Sequence, residues 1–251
     1  MEKDIIDLKK EFERIKKLGW IKSKRNGPTG IGYTFEVLLN KPEENFEIPD
    51  FGKIEIKTKH RYSKGYITLF NATPDGDELF VIKKLQNKFG YSDKELPQYR
   101  VFKGSVTCTE FSHIGAYYKF KLKIDKKRKE IRLISIDLFG TITDTKISWS
   151  FNLLKNKIER KLQYLAIVHS DSKWNNNIEF FKYNNINFYH LKGFNKFIEL
   201  MEKGIIRITF KIGIFKKGPK KGKIHDHGTG FDINENDLLL LYTQIYKWSY
   251  Y

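Results

Sequence analysis

The sequence predicts a mixed α+β fold, an α/β composition with a large antiparallel component, in a chain that forms two lobes. Amphipathic helical patterns open the chain and recur at 153–162 and 194–204. Short runs rich in aromatic and β-branched residues, separated by turn residues, fill 98–138 and predict successive strands. No internal repeat and no long linker interrupts these patterns.

The individual elements follow from local spacing, beginning with an amphipathic helix over 2–18, where apolar residues recur at helical intervals. A basic, Gly-rich loop, KSKRNGPTGIG, separates it from a short helix, YTFEVLLN, which carries Glu36. Strands are predicted at 53–59, 66–70, 164–170 and 205–215. Further helices are predicted at 77–89, 153–162, 194–204 and 236–246.

Charge is the strongest global signal, because 47 Lys and Arg residues outnumber 30 Asp and Glu residues and give a net charge of +17. Such a field attracts polyanions and accelerates their association. Nucleic acid is therefore the first candidate partner, and an anionic membrane surface is the second. The biased composition of a Lys-, Asn- and Ile-rich organism is the alternative explanation of this charge.

The single cysteine and the lack of long apolar runs indicate the cellular compartment of the protein. Cys108 is the only cysteine, which excludes an intramolecular disulfide and a Cys-based zinc cluster. The charged opening, MEKDIIDLKKEFERIKK, does not have the pattern of a signal peptide, and no apolar run approaches the length that spans a bilayer. We expect a soluble, cytoplasmic protein with no membrane partner.

The stretch IPDFGKIEIKTKH, residues 48–60, carries the candidate catalytic chemistry. Alternating apolar and polar residues predict a strand that places Glu55 and Lys57 together on one exposed face, close to Asp50. Two carboxylates and an ammonium on one patch form either an ordinary salt-bridged surface or a metal site with a catalytic lysine.

The catalytic interpretation is phosphodiester hydrolysis with Mg²⁺. This hard cation takes oxygen ligands, usually one or two carboxylates with several waters, and it neutralises phosphate charge. Asp50 and Glu55 supply carboxylates, and Ile56 supplies a backbone carbonyl between them. Lys57, on the same strand face as Glu55, can orient the attacking water and stabilise negative charge in the transition state. Glu36, on the preceding short helix, can reach the same cluster.

Four motifs follow one another along the chain: GPTGIGYTFE, PDFGKIEIKTK, ITLF and, far downstream, KKGKIHDHGTGF. In this order they resemble the MvaI/BcnI group of type II restriction endonucleases, relatives of the mismatch-repair nickase MutH in the PD-(D/E)XK superfamily. The resemblance extends over nearly the whole chain and includes SWSF at 148–151 and KLQYLAIV. The Asp, Glu-x-Lys core is weakly specific alone; the Gly-rich loop before Glu36 and the HDHGT run make the combination more specific.

The resemblance implies a type II site-specific deoxyribonuclease with a PD-(D/E)XK core and two lobes around a DNA cleft. It implies Mg²⁺-dependent cleavage of double-stranded DNA by a monomer that cuts one strand and then the other. Asp50 and Glu55 would bind the metal, Lys57 would assist the attacking water, and Glu36 would support the site. A cognate DNA methyltransferase is expected in the same restriction–modification system, without forming a stable complex.

The resemblance also suggests a division of labour along the chain. Residues 1–97 are expected to form mainly the catalytic lobe. Residues 98–251 are expected to form mainly the DNA-recognition lobe, with some elements packing on the catalytic core.

Lysines cluster in a Gly-rich segment of the C-terminal part, at Lys211, Lys216, Lys217, Lys220, Lys221 and Lys223. Lysines along a flexible loop suit DNA phosphates, which give affinity without sequence discrimination. A solvated loop with no DNA contact is the alternative.

The run HDHGT follows this loop, and the resemblance implies that it faces DNA. His225 and His227 would then contact base edges, because imidazole can donate or accept a hydrogen bond, and Thr229 would lie at the same surface. Asp226 is expected to hold the loop. Structural histidines are the alternative, and two histidines without further ligands form a poor zinc site.

The resemblance implies only the general type of DNA sequence that the enzyme recognises. Members of the resembled family carry arginine at positions matching Lys211 and Asp232, and arginine contacts guanine bidentately in a way that neither residue can reproduce. The resemblance suggests a short, near-palindromic G·C-rich site such as CCWGG, CCSGG or CCNGG, with CCWGG favoured. Two alternatives stay open: a MutH-like strand-specific nickase, and a non-catalytic basic DNA-binding module in which 50–57 is only a surface strand.

Overall fold

The computed structural model describes residues 2–40, 48–63, 65–143 and 146–247. In these ranges the helices are α1 (Glu2–Lys17), α2 (Gly30–Leu38), α3 (Glu78–Lys84), α4 (Phe151–Lys161), α5 (Phe194–Glu202) and α6 (Leu238–Leu241). A π-helical turn at Leu85–Phe89 extends α3, and a 3-10 turn at Glu235–Asp237 precedes α6. No helix in the described ranges has the length and apolarity needed to cross a membrane.

The strands of the described residues occupy much of the chain between these helices. They are β1 (Ile21–Lys22), β2 (Ile54–His60), β3 (Tyr66–Asn71), β4 (Tyr91–Ser92), β5 (Arg100–Val106), β6 (Ser112–His113), β7 (Tyr118–Asp125), β8 (Glu130–Asp137), β9 (Ile142–Thr143), β10 (Ser148–Ser150), β11 (Tyr164–Asn175), β12 (Ile178–Leu191), β13 (Ile206–Ile214), β14 (Ile224–Asp226), β15 (Gly230–Asn234) and β16 (Tyr242–Lys247). Among the described residues, β4 to β10 follow one another without an intervening helix. The mixed α+β fold predicted from the sequence is confirmed.

The chain divides into two compact units, each built from separated segments. Unit 1 comprises Met1–Gly65, Lys157–Gly193 and Leu238–Tyr251, and unit 2 comprises Tyr66–Asn156 and Phe194–Asp237. This division differs from the one near residue 97 that the sequence suggests. The difference arises because β2 pairs in parallel with β11, far along the chain, so that the sheet of unit 1 recruits later segments.

Unit 1 contains one mixed sheet, and α1 and α2 contribute buried side chains to the apolar core on one of its faces. Its strand order is β1-β12-β11-β2, and β16 joins along β12. The helix α1 buries Leu8, Phe12 and Ile15 against this sheet, where they meet Ile54 and Ile56 of β2 in one apolar core. Complete burial of such side chains stabilises the fold by roughly 1.5–3 kcal/mol each, so this packing fixes β2 in place.

The basic loop before α2 is closely packed. A Cβ atom on Gly30 would lie 2.5 Å from the Arg25 carbonyl oxygen, so only glycine fits where α2 begins. The Tyr183 hydroxyl donates a 2.8 Å hydrogen bond to the Ile31 carbonyl, which ties the first turn of α2 to β12. The predicted short helix therefore starts three residues earlier than YTFEVLLN.

Unit 2 contains two sheets. One has the order β3-β15-β13-β5-β4, with β14 paired to β13, and the other has the order β10-β8-β7-β6, with β9 paired to β8. The predicted strands between 98 and 138 correspond to β5, β7 and β8. Asp77 caps α3 by accepting a 2.8 Å hydrogen bond from the Phe80 amide, as expected of aspartate at a helix N-terminus.

Two predictions about elements need correction. The helix predicted over 236–246 is limited to α6, and the chain continues as β16, because Tyr242 and the residues after it pair with β12. Residues 178–191, for which no element was predicted, form the long strand β12. This strand is rich in asparagine, which is uncommon in strands, and its pairing with both β11 and β16 overrides that preference.

Candidate active site

The strand β2 presents the candidate catalytic residues on the face opposite the apolar core. Side chains alternate along a strand, so Ile54 and Ile56 enter the core of unit 1 while Glu55 and Lys57 point the other way. The predicted sharing of a face by Glu55 and Lys57 is borne out by a 2.6 Å hydrogen bond from Lys57 Nζ to Glu55 Oε1.

The expectation that this patch is exposed is wrong for Glu55. Its side chain is only 1% exposed, whereas the Lys57 side chain is 27% exposed. Groups from two later elements explain this burial: Lys161, at the end of α4, lies 3.5 Å from Glu55 Oε1, and Tyr242 of β16 is fully buried. Burial, and secondarily the charge of Glu55, raise the pKa of Tyr242.

The Glu55 carboxylate has one paired oxygen and one without a partner. Oε1 accepts a hydrogen bond from Lys57 Nζ and lies 3.5 Å from Lys161 Nζ. Oε2 is buried and accepts no hydrogen bond within the described residues. Burial raises the pKa of Glu55, and the negative charge of Asp50 adds to this, while Lys57 and Lys161 oppose it. A buried, partly unsatisfied carboxylate is costly in a folded protein unless something binds it.

Asp50 is held beside the same strand. Its Oδ2 accepts a 2.9 Å hydrogen bond from the Ile56 amide. The amide and the carbonyl of one residue in a strand point to the same side, so the Ile56 carbonyl also points toward Asp50 and away from β11. The structure thus places the Asp50 carboxylate and the Ile56 carbonyl along one edge of β2, with Glu55 between them in the chain.

Glu36 lies on α2, partly buried. A Cβ atom on Gly32 would lie 3.9 Å from Glu36 Oε1 and 3.2 Å from the Thr58 hydroxyl oxygen. Thr58 shares the Ile54 and Ile56 face of β2 by alternation. Glu36 therefore borders the face of β2 opposite Glu55.

The oxygen ligands fit a Mg²⁺ ion. In the described part of the chain, no group of three or more His, Cys, Asp and Glu side chains is placed to hold a metal. The candidate ligands are the two carboxylates of Asp50 and Glu55 together with the Ile56 carbonyl. Mg²⁺ usually takes one or two protein carboxylates and keeps several waters. The unpartnered Oε2 of Glu55 is the atom that such an ion would satisfy.

Lys161 is a further candidate site residue, which the sequence patterns did not single out. The helix α4 ends at Lys161, shortly before β11 begins at Tyr164, and Tyr164 pairs with Ile54. This register brings the last turn of α4 to the start of β2. The sequence signal was the basic turn Arg160–Lys161 directly before the buried strand YLAIV.

The lysine loop belongs to unit 2 and connects β13 to β14. Lys217, Lys220, Lys221 and Lys223 are exposed. Lys216 instead pairs with Asp93 and lies 3.7 Å from Glu95.

The HDHGT run lies beside this loop. The rings of His225 and His227 lie 4.0 Å apart, and His225 also stacks on Phe215 at 4.1 Å. Asp226 Oδ1 accepts a 2.9 Å hydrogen bond from the Gly228 amide, which agrees with its expected loop-holding role. Thr229 is only 4% exposed, and this burial favours a structural role over contact with DNA.

The histidines border a polar surface on the first sheet of unit 2. On β13, Arg207, Thr209 and Lys211 point to this surface. Their strand neighbours include Asp232 opposite Arg207 and Lys103 opposite Lys211, and His225 lies opposite Gly213. We call the surface formed by Lys103, Arg207, Thr209, Lys211, His225 and Asp232 the polar sheet face. Burial, followed by the charges of His225, Lys103 and Lys211, lowers the pKa of His227, and Asp226 opposes this. Lys103 and Arg207 are members that sequence patterns alone did not single out.

Comparison with known proteins identifies this fold as that of a restriction endonuclease. The model of the MvaI/BcnI restriction endonuclease family matches residues 9–242, and the chain belongs to this family. It is accordingly a type II site-specific deoxyribonuclease, which contradicts the alternative of a non-catalytic DNA-binding module.

Two solved structures are similar to this chain. One is described as the restriction endonuclease MvaI–cognate DNA substrate complex, at 34% identity and a TM-score of 0.90, covering 98% of this chain and 100% of that one. The other is MvaI in the absence of DNA, at 31% identity and a TM-score of 0.59, covering 97% of each chain. A search of curated proteins gave no match.

Proposed function

We propose that this protein is a Mg²⁺-dependent restriction endonuclease that cuts both strands of double-stranded DNA at a short, near-palindromic, G·C-rich sequence. Family membership supports the reaction class, and the similar structure of MvaI with cognate DNA supports a duplex as substrate. The observation that carries the metal chemistry is Glu55, a buried carboxylate with one oxygen paired to Lys57 and the other without a partner.

Asp50, Glu55 and the Ile56 carbonyl would hold the metal ion. When bound, Mg²⁺ neutralises phosphate charge and makes water more acidic. The Ile56 amide keeps the Asp50 carboxylate turned toward the strand edge. The Lys161 ammonium, 3.5 Å from Glu55 Oε1, stabilises the ionised form of a carboxylate whose burial favours protonation.

Lys57 contributes through its ammonium. Its Nζ is anchored on Glu55 Oε1 and is partly exposed, so it can also donate to the attacking water or to a phosphate oxygen. Such a fixed cation orients the nucleophile and stabilises the extra negative charge in the transition state. In this proposal Glu36 supports the site from α2, on the other side of β2.

DNA binding divides between phosphate contacts and base contacts. The exposed lysines 217, 220, 221 and 223, with Lys211 and a smaller contribution from Lys216, would contact phosphates. His225 and His227 would contact base edges. We favour CCWGG as the target over CCSGG or CCNGG. In this proposal Thr229 only supports the loop that carries the histidines.

The proposal includes the setting of the enzyme. It acts as a monomer, and it cuts the two DNA strands one after the other. It works in the cytoplasm, where a cognate methyltransferase protects the host sites without forming a stable complex with it.

A plasmid assay tests the strand behaviour. Supercoiled plasmid that contains the target is incubated with the enzyme and Mg²⁺, and the products are followed with time. Sequential cutting by a monomer predicts that nicked circles appear first and then become linear DNA. Nicked circles that persist at saturating enzyme would contradict double-strand cleavage and favour the MutH-like nickase.

A further inference from the structure

Arg207 is the residue of the polar sheet face that carries a guanidinium. Along β13, Ile206, Ile208 and Phe210 are fully buried, and Arg207 alternates with them on the opposite face. Its side chain is 27% exposed. The Arg207 side chain therefore extends from a strand with a buried apolar face to the solvent-exposed surface of the sheet.

The Arg207 side chain is fixed by two neighbours. Its guanidinium carbon lies 3.2 Å from the centroid of the Tyr66 ring, a stacked cation–π contact. Its Nε lies 3.8 Å from Asp232 Oδ2, across the paired strands β13 and β15. The Tyr66 ring contacts the guanidinium directly, and the carboxylate of Asp232 attracts its Nε edge.

Asp232 is itself held rigidly. It is 4% exposed, and it accepts hydrogen bonds from the Thr68 hydroxyl at 2.8 Å and from the Thr209 hydroxyl at 2.6 Å. Both carboxylate oxygens are thus occupied by neighbouring strands. Asp232 works as a buried anchor for Arg207 and is not available as a surface acid.

The surroundings of Arg207 are basic. Lys211 lies on the same face of β13 and donates a 3.4 Å hydrogen bond to the Thr68 hydroxyl. Lys103 of the neighbouring strand β5 lies directly opposite Lys211 in the strand register. The guanidinium of Arg207 is planar and held in place, and the flexible ammonium groups of Lys103 and Lys211 lie on the same face. This arrangement suits a polyanion that offers two hydrogen-bond acceptors at a fixed spacing. DNA presents such a pair as guanine O6 and N7 in the major groove.

We propose that Arg207 is a specificity-determining residue that contacts a guanine of the target bidentately. Asp232 and Tyr66 act as positioning residues for it. With Nε turned toward Asp232, the two terminal nitrogens remain to donate to O6 and N7. A phosphate oxygen can also accept from a lysine or an arginine, but a phosphate contact would not respond to the loss of guanine N7. The inference rests on the proposed binding of double-stranded DNA and does not depend on cleavage.

The test measures binding without metal, so that catalysis is not required. The target is found by selecting bound duplexes from a random pool. Each guanine of the target, with its symmetry mate, is then replaced by 7-deazaguanine, which lacks the N7 acceptor. Affinities are compared for the wild-type protein and for Arg207→Ala, Arg207→Lys and Asp232→Asn. The matched control is Arg128→Ala, whose arginine is exposed on the turn between β7 and β8, in the other sheet of unit 2.

The expected result is specific to one position. At one guanine, the analogue weakens wild-type and Arg128→Ala binding by about tenfold, but changes the binding of Arg207→Ala and Arg207→Lys by less than about twofold. Asp232→Asn should show an intermediate response. Equal sensitivity of wild-type and Arg207→Lys proteins at every guanine would overturn the assignment.

Folding and function are separated within the same design. Should Arg207→Ala lose its folded circular dichroism spectrum, Arg207→Lys carries the test, because it keeps the charge and most of the side-chain volume. Specific binding by the wild-type protein without cleavage after Mg²⁺ is added would contradict the proposed function, while the comparison of guanine analogues would still decide the role of Arg207.

Discussion

Lys57 and Glu55 form a hydrogen-bonded ion pair in which the carboxylate is buried and the ammonium reaches the surface, with 2.6 Å between Nζ and Oε1. The pair couples two tasks, because Glu55 is a candidate metal ligand and Lys57 a candidate contact for the attacking water. Each variant at this pair therefore predicts a distinct outcome.

Lys57→Ala should abolish cleavage and leave DNA binding largely intact. Removing a fixed cation that acts mainly in the transition state costs roughly 10²–10³-fold in rate, while the basic surface that binds phosphates is unchanged. Single-turnover cleavage and gel shifts on the same duplex check this. Lys53→Ala, an exposed lysine in the same stretch, is the control, and full activity of Lys57→Ala would remove Lys57 from the site.

Glu55→Gln should raise the thermal stability of the metal-free protein at neutral pH. Burial raises the pKa of Glu55, so between the unfolded and folded pKa values the native state keeps a proton that the unfolded state releases. Stability therefore falls as the pH rises through this interval, and the ionised carboxylate still costs stability above it. The neutral amide removes that cost and flattens the dependence of stability on pH.

Mg²⁺ should stabilise the wild-type protein more than Glu55→Gln, whereas Glu55→Gln is expected to be the more stable of the two without metal. A ligand that binds the folded state stabilises it, so Mg²⁺ should raise the melting temperature of the wild-type protein more than that of Glu55→Gln. Thermal melts in EDTA and in Mg²⁺ measure both effects, with the exposed Glu110→Gln as control. Lower stability of Glu55→Gln in EDTA together with an unchanged response to Mg²⁺ would argue against the metal site.

His225→Ala should reduce discrimination between target and non-target DNA more than it reduces general affinity. The ring is held by stacking on Phe215 and lies 4.0 Å from His227, and each good base contact provides roughly tenfold discrimination. Competition binding with target and scrambled duplexes measures the ratio. The exposed His113→Ala serves as control, and an unchanged ratio for His225→Ala would assign its ring to structure.

Loop lysines should contribute to affinity in a salt-dependent and sequence-independent way. Combined Lys217→Ala, Lys220→Ala and Lys221→Ala substitutions should lower the slope of log K against log salt by about three, since each phosphate contact contributes about 0.9. Lys216→Ala should change the slope less, because Lys216 pairs with Asp93. The exposed Lys127→Ala is the control. An unaltered slope in the triple variant would mean that the loop does not contact phosphates.

Local pattern was sufficient to predict β2 and the shared face of Glu55 and Lys57, because strand alternation depends only on neighbouring residues. It did not predict the burial of Glu55 or the proximity of Lys161. Both depend on the parallel pairing of β2 with β11 and on the return of the chain at Tyr242. Pairing between distant segments leaves no periodic signal within either segment.

The recognition surface shows the same limit. The lysine loop and the HDHGT run were visible as composition and motif, whereas the Arg207–Tyr66–Asp232 arrangement joins three strands that are distant in the chain. The burial of Thr229 likewise depends on the pairing of its strand region with Ala72, whose amide donates to the Thr229 carbonyl.

Cleavage of unmethylated DNA with and without Mg²⁺ decides whether this protein is a Mg²⁺-dependent, site-specific nuclease. The purified protein is incubated with unmethylated phage DNA in Mg²⁺ and in EDTA, and the ends of all products are sequenced. We expect discrete fragments in Mg²⁺ alone, all ending in one common short sequence, and no fragments with Asp50→Asn. Fragments that form equally in EDTA, or ends without a common sequence, would contradict Mg²⁺-dependent cleavage at a defined site.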